Sequence, residues 1–456
     1  MIENGLVHAL TSAPGAWRLP PGAVVVPGFE DPHVHLLAAA AARRSIDCGA
    51  PAVPDLASLE LRIATRARRG HGWLRGAGFD DALVAERRAP DRLLLDRAGP
   101  GRPLVIHHAA GVVAYCNSEA LRTLGVDPER DDGTDGVERA GDGSATGRVD
   151  KRSEVLAGVP VLDERDRHAA LDETAYALLS AGVTAVTDAT VTNDPDAIGV
   201  LAGWADGTPG PRLSVMIGAA FLSRRSLSIP DRVRPVYAKV VVEGDDPPDL
   251  VEIVARSRAL GVPVALHVTD VDTLDRALTA LAASPSTGRC DRLEHVSLCL
   301  PEQVAMISAS NAIVVTQPAF VRRRSAKYAE QLTEVELDWL YRVRSLLDAG
   351  VVVAASSDAP VVSARPLESM AAAVDRDLNP SERVDPGTAL AMVTTNAAAA
   401  SGTGGGSLRI GGPADFVVLS ADPLEVDVAD LDAIAVLATV IGGQVVYRDP
   451  ALTGLG

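Results

Sequence analysis

Cysteine is scarce. The four, Cys48, Cys116, Cys290 and Cys299, include no CxxC pair, which excludes a thiolate zinc knuckle and a dense disulfide framework and suits a reducing compartment. Long apolar runs are missing too: no window approaches the ~20 residues a membrane span requires. The first residues lack a basic segment followed by a continuous apolar one, so a soluble cytoplasmic protein is expected. Positive charge is in deficit, with a formal net charge of −17, and nucleic acid and anionic membrane surfaces are therefore unfavourable partners. Solubility is the simpler reading of the acidity. There is no internal repeat and no low-complexity tract beyond short alanine runs.

Apolar residues are plentiful at 47%, against 23% charged, so the chain can bury a sizeable core. At 456 residues it exceeds an ordinary single domain but accommodates an α/β barrel with an appendage. Apolar, β-branched runs alternate with amphipathic helical stretches, the signature of parallel βαβ units. The first run is Val24 to Pro27. It is followed by "GVTAVTDAT" (182–190), "RLSVMIGAA" (212–220), "VYAKVVVEG" (236–244), "VPVALHVTD" (262–270), "DRLEHVSLC" (291–299), "NAIVVTQPA" (311–319) and "GVVVAASSDAP" (350–360). Eight such runs, with intervening helical stretches that end at glycine, predict a TIM-type (β/α)8 barrel over residues 26–404.

More than a hundred residues separate the first run from the second, far beyond a βα connection. An inserted subdomain is therefore expected at about 45–165. Its Gly/Asp-rich stretch "DDGTDGVERAGDGSATG" reads as a hairpin or loop with no phosphate signature. The C-terminal strands with Gly/Pro turns, together with Leu6 to Thr11, predict a small β subdomain from residues 1–25 and 405–456.

Only nine histidines are present, yet "VVVPGFEDPHVHLLAAA" places His33 and His35 two apart. In a strand such residues share a face, so both imidazoles would leave one strand end together. Lys239, His267, His295 and Asp358 likewise fall within or at the ends of predicted strands. Taken singly, a strand histidine is more often a hydrogen-bonded core residue, and a strand-end aspartate a helix cap. Taken together the reading reverses, because all strand C-termini of a barrel converge on one mouth. Four imidazoles and a carboxylate gathered there suit a divalent transition metal. Alternation points Lys239 inward, where an unpaired ammonium would cost several kcal/mol, so it needs a partner or a chemical modification.

The ordered series "PGFEDPHVHL", the strand lysine, "LHVTD", "RLEHV", "SSDAPV" and "GGPADFVVLSADP", with "GWLRGAGFDD" and "CNSEALRTLGV" in the insertion, resembles the amidohydrolase superfamily. Within it the likeness is to amidohydrolase family 3, a group of metal-dependent hydrolases, over nearly the whole chain. The resemblance implies that His33 and His35 hold one metal with Asp358, and that His267 and His295 hold a second. It further implies that Lys239 is carboxylated and bridges two zinc ions, with manganese or iron as alternatives, and that Asp358 is the proton shuttle. The carbamate, anionic and long, would answer the buried-lysine problem. The implied reaction is hydrolysis of an amide or cyclic amide C–N bond of a small molecule by metal-activated hydroxide.

Two features depart from the family pattern. Only 32 residues precede His33, so a reduced β subdomain is expected. Val112 stands where relatives carry a histidine, and His107 and His108 are the candidates to compensate in substrate contact. Asn117, Tyr115 and Gln317 are further pocket candidates. An arginine among 322–324 is either a carboxylate anchor or part of a solvated helix face. Competing readings are ester or lactone hydrolysis on the same metals, a deaminase, and a non-catalytic barrel used for assembly. The deaminase would want an acid soon after His267, where only Asp270 and Asp272 stand; the non-catalytic barrel would have lost ligands that this chain retains. A homodimer is expected only from the frequency of two-fold assemblies.

Overall fold

The computed structural model describes residues 2–7, 19–109, 111, 113–150, 153–222, 233–242, 249–286, 288–450 and 452. Val112, the expected strand beyond Val7 and the end of the "VYAKVVVEG" run lie outside the described residues. The chain divides into two compact units, Leu36–Thr174 and the remainder.

In the second of these, eight strands lie side by side in one parallel sheet: β1 (Phe29–Val34), β2 (Val183–Asp188), β3 (Arg212–Gly218), β4 (Val233–Val241), β5 (Val264–Val268), β6 (Arg292–His295), β7 (Ile313–Thr316) and β8 (Val353–Ala355). A parallel bridge between Val34 and Ala359 brings the first and last strands together. The result is the nearly closed barrel expected for a TIM-type fold. Helices follow the strands where capping residues start them. Asp270 opens Val271–Ala282 by accepting from Thr273 N at 2.8 Å, and Thr273 reciprocates, a capping box. Asp270 is thus a helix cap.

One sequence expectation is corrected. Val24–Pro27 is not the first barrel strand; it pairs antiparallel with Phe416–Leu419 in a four-stranded sheet completed by Val436–Ile441 and Gln444–Arg448. The barrel strand is its polar-looking neighbour, "FEDPHV", every residue of which is buried. Apolar density marked the half-buried strand, whereas the fully buried one carries the chemistry. Pro32 sits inside β1 where the pairing with β2 shifts register between Val186 and Asp188, the irregularity that lets a strand tolerate a missing N–H.

Phe29, fully buried at the start of β1, packs where Gly182 turns the chain into β2. A Cβ on Gly182 would come within 2.8 Å of the Phe29 ring, and the backbone there has φ +82°, so glycine is required. Phe29→Ala is expected to cost about 3–5 kcal/mol, measurable as a lowered denaturation midpoint.

Glu30 carries a pH signature. It is 3% exposed and receives a hydrogen bond from Thr403 Oγ1 at 2.7 Å, while its Oε2 has no hydrogen-bond partner among the described residues. Burial pushes its carboxyl up to about 7 despite the Thr403 bond. The folded state therefore holds a proton that the unfolded chain releases above its ordinary carboxylate pKa. This contribution is complete below about pH 4.5 and is lost as pH rises through about 7. Glu30→Gln is expected to flatten the fall in stability over that window; an unchanged pH slope in denaturant titrations would refute the assignment.

Leu36–Thr174 has its own core, including Leu59, Ile63, Phe79, Leu95 and Ile106, all essentially inaccessible to solvent. Its six strands run in the order Ile46–Asp47, Leu74–Phe79, Leu104–His108, Val113–Cys116, Ala145–Asp150, Val137–Arg139. The Gly/Asp-rich stretch forms the antiparallel pair at the end. No helix among the described residues is long and apolar enough to cross a membrane.

Candidate metal centre

His33 in β1, His35 just beyond its end and Asp358 after β8 meet at the seam of the barrel. Asp358 N donates to His33 O at 2.9 Å and His35 N to Ala359 O at 2.8 Å. These backbone bonds carry the side chains together: His33 Nε2 lies 3.5 Å and His35 Nε2 3.0 Å from Asp358 Oδ1. One ligand atom from each residue fits within 4.8 Å of the others, so the trio could hold a metal ion. His295 and His267 complete the group. The His295 ring lies 5.0 Å from that of His33 and 4.3 Å from that of His267. Lys239, on β4, is in register with Ala265, two residues before His267 on β5. All six expected ligands thus belong to strands or strand ends of one barrel.

Two of them sit on unusual backbone. His295 has φ 70° and Asp358 φ 56°, the left-handed region that costs a non-glycine residue of order 1 kcal/mol or more. Alternation explains the first case. Arg292 and Glu294 share one face of β6, so His295 would point to the other; the left-handed turn frees it from that pattern.

In His33, His35 and His295 the Nδ1 nitrogen has a partner of its own. His33 Nδ1 lies 2.6 Å from Glu294 Oε2, His35 Nδ1 2.9 Å from Thr190 Oγ1, and His295 Nδ1 2.7 Å from Gln317 Oε1. This leaves Nε2 of each directed toward the centre, the arrangement in which neutral imidazoles serve as ligands. Burial pushes His33 down to about 4, reinforced by the Lys239 charge, and it pushes His295 well below the ordinary histidine range. Burial also lowers Lys239. Asp358 moves the other way: burial opposes ionisation, but the His35, His33 and His295 rings hold the carboxyl below its ordinary range.

Two buried atoms here, Lys239 Nζ and His295 Nε2, have no hydrogen-bond partner among the described residues, and Asp358 Oδ1 faces only the His33 and His35 rings. A buried polar atom left unmatched costs about 1–3 kcal/mol. Gathered in one cluster of nitrogen and oxygen donors, such atoms fit a divalent cation.

The remaining candidates fall elsewhere. Gln317 is fully buried and donates to Ser356 Oγ while accepting from His295, so it orients a ligand rather than lining an open pocket. Asn117 is a helix cap: its Oδ1 accepts from Leu104 N and Ala120 N, and its Nδ2 donates to Arg102 O. That set of backbone bonds replaces the expected substrate contact. Within the Leu36–Thr174 unit, His108 Nε2 is 3.1 Å from Asp81 Oδ1 and 3.7 Å from Asp80, a second trio of potential ligand type. His107 is half-buried beside it on the same strand, and Tyr115 meets the His108 ring edge-on at 6.4 Å. Arg322 pairs with Asp432, Arg323 with Glu368, and Arg324 covers the Phe320 ring.

Sequence reading missed Glu294, Thr190 and Asp31. Asp31 Oδ1 accepts from Ser357 N at 3.1 Å and His33 N at 3.3 Å, tying β1 to the Asp358 loop. The signal for Glu294 was available in "RLEH": an arginine and a glutamate two apart on a strand otherwise made for burial.

The family model described as the amidohydrolase family matches residues 21–447. The chain belongs to the amidohydrolase family. The coarse assignment that follows is a hydrolase. This amidohydrolase is 28% identical over 482 residues to the N-substituted formamide deformylase of Arthrobacter pascens, an alignment spanning 94% of this chain and 89% of that one. It is 32% identical over 174 residues to an imidazolonepropionase of Paracidovorax citrulli, covering 37% and 36% of the two chains. Among solved structures, an uncharacterized metal-dependent hydrolase from Pyrococcus furiosus superposes with a TM-score of 0.68 at 25% identity, covering 89% of this chain and 88% of the other.

Proposed function

We propose that this amidohydrolase cleaves the C–N bond of a small amide with the help of divalent metal, and that N-substituted formamides are the first substrate class to test. The observation that carries the reading is the buried convergence of His33, His35 and Asp358 with the unpartnered Lys239 Nζ and His295 Nε2. The deformylase likeness supports an acyclic amide, and the shorter imidazolonepropionase match supports a cyclic one as the second class.

In this reading His33, His35 and Asp358 would hold one ion, His267 and His295 would hold another, and carboxylated Lys239 would serve both; zinc is the expected metal, manganese or iron the alternatives. Lowering of the Lys239 ammonium by burial supports that modification, because the neutral amine is the form that bonds to carbon dioxide while losing a proton. A divalent metal, when bound, supplies Lewis acidity that lowers the pKa of water from about 15.7 toward about 7 and polarises a carbonyl. His33 and His295 present Nε2 without a proton there, since each Nδ1 meets an acceptor oxygen, of Glu294 and of Gln317. Asp358, kept ionised by the surrounding rings, accepts the proton released as water adds to the carbonyl carbon. It returns that proton to the nitrogen as the C–N bond breaks, giving a carboxylic acid and an amine. Burial of the residues keeps bulk water from competing for these contacts.

The test is hydrolysis of N-alkylformamides by protein produced with zinc and bicarbonate supplied. Formate release that is abolished by a chelator and restored by divalent metal is expected. Release that is indifferent to the chelator, or no turnover of formamides or cyclic amides, would overturn the proposal.

A further inference from the structure

Arg292, Glu294 and His33 form a fully enclosed chain of contacts behind the candidate metal centre. Arg292 and Glu294 are both 0% exposed and His33 is 1% exposed. The guanidinium grips the carboxylate in a fork, Nε to Oε1 at 2.7 Å and Nη2 to Oε2 at 2.9 Å. It is itself fixed by Pro32 O at 2.9 Å and Ala400 O at 3.3 Å and stacks over the Tyr237 ring, 5.1 Å from its centroid. The carboxylate's Oε2 then meets His33 Nδ1 at 2.6 Å. A carboxylate paired with arginine in this way can only accept, so the proton between Glu294 and His33 resides on Nδ1 and Nε2 is bare. His35 and His295 are backed by a hydroxyl and an amide instead. Of these three rings, His33 alone has an anion behind it.

Resting on the metal-dependent reading above, we infer that Glu294 is a positioning residue: it fixes the tautomer of His33 and strengthens its Nε2 as a donor, with Arg292 as the counter-charge that lets a carboxylate remain in the barrel interior. The His33 side of the centre then holds a cation more tightly than a hydroxyl or amide backing would allow. Loss of such an outer partner typically weakens metal binding by about 10–100-fold.

The test compares wild type with Glu294→Gln and with the double variant Arg292→Met/Glu294→Gln, which leaves no buried guanidinium without its partner. Zinc ion alone is titrated against a competing chelator, and folding is followed by thermal melting. Weakening of the tightest zinc affinity by about 10–100-fold in a folded variant is expected. A folded double variant that binds zinc as tightly as wild type would overturn the inference.

Nitrogen NMR of the metal-free wild type reads the tautomer directly and decides the matter if neither variant folds. His33 protonated at Nδ1 supports the inference; His33 protonated at Nε2 overturns it. Wild type that binds no zinc would instead count against the metal-dependent function, leaving the tautomer as the independent measure of the Glu294 contact.

Discussion

Protein carrying Lys239→Ala is expected to lose bound metal and to lose at least about 100-fold in hydrolysis, because even an outer-shell partner costs up to that much and a ligand shared by two ions should cost more. The side chain is 2% exposed, its amine has no hydrogen-bond partner among the described residues, and burial disfavours its charge. A structural lysine would be paired, and a lysine meant only to fill space would be replaced by an apolar residue at less desolvation cost. The proposed role is attachment of an anionic extension. Lys239→Met controls for volume, since it keeps the stem and removes the amine. Elemental analysis of both variants checks the expectation. Metal content equal to wild type in a folded Lys239→Ala protein would remove Lys239 from the centre.

The second large effect is expected at Asp358. Asp358→Asn keeps shape and removes both the ionised oxygen and its capacity to move a proton, and general acid–base groups contribute about 10²–10⁴-fold. A fall of that size in kcat is predicted, larger than any change in KM, because the proton transfers belong to the chemical steps. The position is not interchangeable with a nearby acid. Its left-handed backbone and the bonds of Asp358 N to His33 O and His35 N to Ala359 O set the carboxylate at the seam. Steady-state kinetics on the best amide substrate reads the effect. A variant with kcat within threefold of wild type would contradict the shuttle role, threefold being far below the about 100-fold minimum expected of such a group.

Much of this site was legible because barrel geometry turns a scattered sequence pattern into a cluster. His33, His35, Lys239, His267, His295 and Asp358 could be selected from strand position alone, since every parallel strand delivers its C-terminal end to the same mouth. The partners behind them were not legible. Glu294 reaches His33 across 261 residues, and Asp31 reaches Ser357 across 326; periodicity within one segment says nothing of such pairings. Gln317 and Asn117 show the same limit. Both are pocket candidates in the sequence, yet one orients His295 and the other caps a helix.

The first barrel strand was misplaced for a related reason. Apolar density favoured Val24–Pro27, whereas "FEDPHV" is buried because its polar groups find partners inside: Glu30 with Thr403, Asp31 with Ser357 and His33 with Glu294. Hydrophobic patterning finds surfaces that avoid water. It does not find a strand most of whose polar groups have partners inside the barrel.

The measurement closest to the central claim is the metal content of wild-type protein, produced with divalent metal and bicarbonate and freed of loosely bound ions. About two ions per chain, removed by chelation together with amide hydrolysis and restored with it, is the result that the binuclear account predicts. Protein that retains no divalent metal, and that turns over amides equally with and without it, would contradict the account at its root.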